Sequence, residues 1–128
     1  MIKVNNINRY RKYISYGIVF LLLIQFIIGL YINLYVNIVK GKLDSPVLIL
    51  HILIGFFLLI LTFILLIMSY RERKFLILSL ISFILIAVAG LSGFFFIIVN
   101  SSLYSFIMGI SFAVVFLCQY IYILFIKD

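Results

Sequence analysis

The sequence predicts an all-α integral membrane protein, an antiparallel up-down bundle of four transmembrane helices, and three observations point there. Apolar residues fill 68% of the 128 positions and charged residues only 10%, whereas a water-soluble domain carries about 25% charged residues. The mean hydropathy is +1.43. The apolar residues fall into segments 13–37, 46–70, 75–99 and 103–126. As helices of about 25 residues each would be ~37 Å long, enough to cross a hydrocarbon core with some tilt. β-Barrel strands are shorter and alternate with period two, and no such alternation runs through these spans.

Helix 1 carries small or polar residues at every fourth position: Gly17, Gln25, Gly29, Asn33 and Asn37, with Leu21 in the gap. Residues four apart share a face, so this is a stripe that lets a neighbour approach closely or pair its polar groups. Helix 2 opens at Pro46, whose missing N–H is harmless in a first turn, with Asp44 or Ser45 as the cap. Its stripe is thinner: His51, Gly55, Thr62 and Ser69. Helix 3 offers Ser82, Ala89 and Gly93 with Gly90 alongside, and helix 4 offers Ser101, Ser105, Gly109 and Ala113, with Ser101 or Ser102 to cap it. The connections 38–45, 71–74 and 100–102 are short, which makes consecutive helices antiparallel neighbours within one domain, 1–128.

Charge sets the orientation. Lys3, Arg9, Arg11, Lys12, Arg71, Arg73, Lys74 and Lys127 fall on one side, against Lys40 and Lys42 on the other. The positive-inside rule then places both termini in the cytoplasm and the chain in the cell membrane. The net charge of +7 reads as topology and lipid head-group contact, and nucleic acid is excluded as a partner. The first segment is too long for a signal peptide and is expected to be retained. Cys118 is the only cysteine, which excludes the four-helix thiol–disulfide enzymes. No carboxylate falls inside a span, since Asp44, Glu72 and Asp128 lie at ends or in loops; this disfavours proton-coupled transport. No acid–base pair or activated nucleophile is present, so catalysis by the chain alone is not expected.

His51 is the one side chain in the spans able to ligate a metal strongly or take up a proton near neutral pH. A faint internal repeat surrounds it. Gln25-x-x-x-Gly29 in helix 1 matches Ala89-x-x-x-Gly93 in helix 3, and His51-x-x-x-Gly55 in helix 2 matches Ser105-x-x-x-Gly109 in helix 4.

A hairpin with these two motifs resembles the repeating half of heme A synthases and is similar to small four-helix membrane cytochromes of the b type. By topology the resemblance covers all four spans; by motif it covers Gln25, Gly29, His51 and Gly55. It implies that His51 ligates a heme iron, and it admits a half-size, synthase-like enzyme. The synthase pattern places a glutamate one turn before the histidine and an arginine directly after it, where this chain has Val47 or Leu48, and Ile52. Ser105 stands where the second hairpin would supply a partner histidine.

Depth suggests another partner. His51 lies about five residues, ~7.5 Å, into helix 2, and Met108 sits at matching depth in helix 4. Gly29, Asn33 and Gly93 fall at similar levels. A heme b between His51 and Met108, with Gly29, Gly55 and Gly93 opening room for the ring, is the sharpest site the sequence offers. The structural alternative makes Met108 and the glycines packing, with His51 bonded to Asn33, Gln25 or a loop carbonyl. The resulting expectation is a small subunit of a larger respiratory or electron-transfer complex, contributing a heme or quinone site through His51. Its partners would be the bilayer and other transmembrane subunits or a second copy. A purely structural subunit without cofactor is the alternative.

Overall fold

Four α-helices carry the described chain: α1 (Ile2–Tyr35), α2 (Pro46–Glu72), α3 (Leu76–Val99) and α4 (Ser102–Phe125). The structure is a computed structural model; it describes residues 2–36 and 45–126, with side chains from position 6 onward. Asn37, Lys40, Lys42, Asp44 and Lys127 fall outside the described residues. All four helices are long and apolar enough to span a membrane. Among the described residues α1 packs on α2 and α4, and α3 packs on the same two, while the backbones of diagonal helices stay apart. Gln25 meets His51, Ser69 meets Ser79, Gln119 meets Ser82 and Asn33 meets Ser105, so every adjacent pair runs antiparallel.

The polar side chains of the spans lie inside the bundle, together with an apolar core, and the outer surface is apolar. Ser15, Gln25, His51, Thr62, Ser69, Ser79, Ser82, Ser92, Ser111 and Gln119 are buried, as is Arg11. Phe20, Ile27, Phe56, Ile77, Leu91 and Phe106 face outward among many other large apolar side chains. In water this arrangement would be inverted; in hydrocarbon it is the stable one, because lipid solvates the apolar surface and polar groups must find each other.

α1 departs from its expected bounds and face. The helix begins at Ile2, eleven residues earlier than the apolar pattern alone indicates. The expected every-fourth stripe is not its buried face: that face is Arg11, Ser15, Ile18, Leu22, Gln25 and Ile32, while Asn33 is exposed. At 3.6 residues per turn a strict spacing of four drifts around the helix, and only alternating steps of three and four stay on one side. The same drift puts Gly109 and Ala113 of α4 on the exposed side, where Ser111, Val115, Cys118, Gln119 and Tyr122 are buried instead.

Arg11, counted from sequence among the exposed topology-setting charges, is fully buried. Its Nη2 donates to the Met68 carbonyl at 2.7 Å and pairs with Glu72 Oε2 at 3.2 Å, clamping the start of α1 to the end of α2. Its Nε and Nη1 have no partner. Beside this clamp Ser69 and Ser79 join α2 to α3 at 2.7 Å, and Tyr122 approaches Ser69 at 3.4 Å. Next comes a relay across three helices: Ser15 Oγ donates to Gln119 Oε1 (3.0 Å), and Gln119 Nε2 donates to Ser82 Oγ (2.9 Å).

Above the relay the interior turns dry. Ile18, Leu22, Leu58, Ile86 and Val115 pack together, and Thr62, the polar residue at this level, donates its hydroxyl to its own helix at the Leu58 and Leu59 carbonyls. The turns keep their expected chemistry. Ser45 is the extended N-cap before Pro46, though its hydroxyl makes no cap bond, and Ser101 caps α4 by accepting from the Leu103 N–H. The α2–α3 turn needs left-handed backbone at Arg73 and Phe75, and the Phe75 ring packs on Tyr122 with centroids 5.2 Å apart.

Candidate functional site

Beyond the dry layer, at the end away from the basic turn, α1 and α2 interlock through the two sequence motifs. Gln25 reaches across to α2 and donates from Nε2 to the His51 carbonyl at 2.8 Å. In a helix that carbonyl also accepts from the N–H four residues on, at Gly55. A methyl group on Gly55 would stand 3.4 Å from Gln25 Nε2, so the glycine is what the amide lies against. The reverse contact is built alike: a methyl on Gly29 would stand 3.4 Å from His51 Cε1. Each polar side chain therefore seats over the other helix's glycine.

The second hairpin keeps half of this design. A methyl on Gly93 would lie 3.5 Å from Met108 Sδ, so Met108 seats on α3 much as His51 seats on α1. Gly109 has open space in place of a partner, and Ser105 accepts instead from Asn33 Nδ2 at 3.1 Å. The spatial counterpart of His51 is thus Met108.

Between these seats lies a cleft of about 520 Å³, lined by Gln25, His51, Gly55, Gly93 and Met108 together with apolar residues of α2, α3 and α4. His51, Met108, Gly55 and Gly93, singled out from sequence, are brought to one cavity; Gly29 lies behind His51 and does not line it. The remaining walls include Leu59, Ile86, Gly90, Leu91, Phe94 and Phe112, which no polar or motif signal marked; Gly90 was noted only as a companion of Gly93.

His51 is buried, and its Nδ1 is sealed without a hydrogen-bond partner. Gln25 Oε1 is sealed and unpaired in the same way. The expected bonds from the imidazole to Asn33 or Gln25 are not formed: Asn33 goes to Ser105, and Gln25 goes to the His51 backbone. Nε2 is not among the sealed atoms, so it is the ring nitrogen a ligand in the cleft can meet. Among the described residues no three His, Cys, Asp or Glu side chains gather, so the donor set is one imidazole with one thioether nearby. An imidazole nitrogen is a strong iron ligand and also a hydrogen-bond donor or acceptor for a carbonyl or hydroxyl, and a thioether is a soft axial ligand.

Cys118 is a buried free thiol on α4, outside the cluster that forms the dry core. The clamp and relay of the basic end lie on the far side of that core and take no part in the cleft. Comparison of the chain with known protein families, with curated proteins and with solved structures gave no match.

Proposed function

We propose that this chain is a small subunit of a membrane electron-transfer complex, oriented with both termini in the cytoplasm, and that its own contribution is a redox-ligand site in which His51 holds a heme or a quinone. The observation that carries the reading is a buried histidine, one ring nitrogen open and the other sealed, on the wall of an otherwise apolar cleft. Buried polar atoms in lipid are expensive unless they have a use or a partner.

The residues fit a heme b in donor chemistry. His51 and Met108 would hold the iron, and bound heme would supply one-electron transfer. Gln25 would fix the imidazole. Its unpaired Oε1 is an acceptor, His51 Nδ1 can be a donor, and the two residues are already tied together; metal-bound imidazoles ordinarily carry such a partner on the second nitrogen. Gly55 and Gly93 keep side chains out of the cleft walls, beside the Gln25 amide and Met108 Sδ.

The test is spectral. Protein purified from membranes in mild detergent is scanned for a reducible Soret and α band and extracted for quinone, and the same is done for His51→Ala. Cofactor present in the wild type and lost from the variant supports the site. Neither cofactor in the wild type, or unchanged content in the variant, overturns it.

The reciprocal seating of Gln25 and His51 favours a second reading, in which both residues serve only to lock α1 to α2 in a structural subunit. That reading predicts that His51→Ala lowers stability and changes no bound molecule.

A further inference from the structure

Resting on the redox-ligand reading of the cleft, we infer that its ligand is a neutral quinone head group that arrives from the bilayer through the seam between α2 and α3, its hydrocarbon tail staying in lipid. Charge is the first argument. Every described residue lining the cleft is uncharged, and Gln25 and His51 are its polar side chains. A heme brings two carboxylates, and an unpaired carboxylate held in such surroundings costs several kcal/mol. The described cations at Arg11, Arg71, Arg73 and Lys74 are gathered beyond the dry layer, at the other end of the bundle. A quinone brings no charge.

The shape of the opening is the second. Gln25, Met108 and Phe112, from α1 and α4, form the floor, and α2 and α3 form the two lips. The lip residues Phe56, Leu91 and Phe94 are exposed at 62%, 60% and 59%, so the mouth faces whatever surrounds the bundle laterally. Gly90 lies in the α3 lip with open space where a side chain would begin. Nothing at that position blocks a flat ring sliding in from the side, and the aromatic lips suit such a ring.

Hydrogen-bond chemistry is the third. The inner wall offers one open ring nitrogen, His51 Nε2. In one tautomer it donates to a quinone carbonyl; in the other it accepts from a quinol hydroxyl, so both redox forms find a partner. The cleft's 520 Å³ falls inside the range of about 300–1,000 Å³ typical of small-molecule pockets.

The experiment uses full-length protein in nanodiscs with a photoreactive azido-benzoquinone bearing a ten-carbon tail, competed by the unlabelled quinone. Labelled peptides are mapped by mass spectrometry, and heme absorption is recorded on the same sample. Expected is competable labelling within α2 and α3 around Phe56 and Leu91–Phe94. Gly90→Phe should abolish it and Gly90→Ala should keep it. His51→Ala should weaken competition about tenfold, the loss of one hydrogen bond, with His51→Gln intermediate. Each variant is first shown monodisperse with a wild-type melting midpoint, and His51→Gln stands in if His51→Ala is not. Labelling that is unaffected by Gly90→Phe, or scattered over all four helices, overturns the inference. A heme band lost in His51→Ala with no competable quinone labelling overturns the quinone but leaves the redox site standing. Neither heme nor competable quinone overturns both.

Discussion

Gln25 binds His51 by its backbone, not by its ring: the amide nitrogen donates at 2.8 Å to the His51 carbonyl across the α1–α2 interface. The contact sets the height of α1 against α2 and leaves the imidazole to the cleft. Gln25→Leu removes the bond and keeps the volume, and is expected to cost about 1 kcal/mol, the usual scale for one interhelical hydrogen bond in a membrane. Gly55→Leu should cost more, because it drives a branched side chain into the amide. The double variant should be less unstable than the sum of the singles, since both remove one contact. Reversible unfolding in mixed micelles measures the cycle; strict additivity would show that the two residues do not share that seat.

Gly29 separates packing from ligand binding. A methyl there would make ordinary contact with the His51 ring at 3.4 Å, and alanine is the better helix former. Gly29→Ala should therefore fold at least as well as the wild type and keep any bound cofactor. Gly29→Leu should push the imidazole off its seat and lose the cofactor with a smaller loss of stability. Equal cofactor content in both variants would sink the claim that Gly29 positions His51.

Arg11 predicts an order among its replacements. Arg11→Ala loses the bond to the Met68 carbonyl and the Glu72 pair and leaves a void, at a cost of about 2–3 kcal/mol. Arg11→Met should be milder, because it refills the space and relieves the interior of two unpaired guanidinium nitrogens. Glu72→Gln should cost under ~1 kcal/mol, since that carboxylate is partly exposed and screened. Melting midpoints in one detergent rank the three; Arg11→Met below Arg11→Ala contradicts the reading.

Orientation is open to direct labelling. With Cys118→Ser removing the buried thiol, Lys74→Cys should react with an impermeant maleimide from the cytoplasmic face and Ser102→Cys from the opposite face. Both native residues are exposed. The reverse pattern would overturn the orientation, and labelling of both cysteines from one face would overturn the alternation of the spans.

The existence, order and length of α2, α3 and α4 were legible because lipid demands long apolar runs, and such runs are visible in any sequence. The start of α1 was not: Arg9, Arg11 and Lys12 look like an exposed arm until a buried partner is known, and Glu72 lies far away in sequence. The cleft was half legible. His51, Met108, Gly55 and Gly93 could be aligned by depth, because depth is only a count along each helix. Rotation about the helix axis is not so easily counted, which is why the stripes on α1 and α4 missed the buried faces and why the apolar lips at Leu91 and Phe94 gave no signal. The purpose of the glycine spacing also needed coordinates. The fourth residue after His51 must be small because the carbonyl that Gln25 seeks lies beside it.

The dry layer of Ile18, Leu22, Leu58, Ile86 and Val115 makes the middle of the bundle a barrier to ions. Moving a charge through it would mean stripping its water with nothing offered in return, at a cost of several kcal/mol. The polar groups at the His51 end are therefore cut off, for any ion, from those at the Arg11 end. Whatever ion or proton reaches the cleft must therefore enter and leave at the His51 end or sideways between the helices, never along the axis of the bundle.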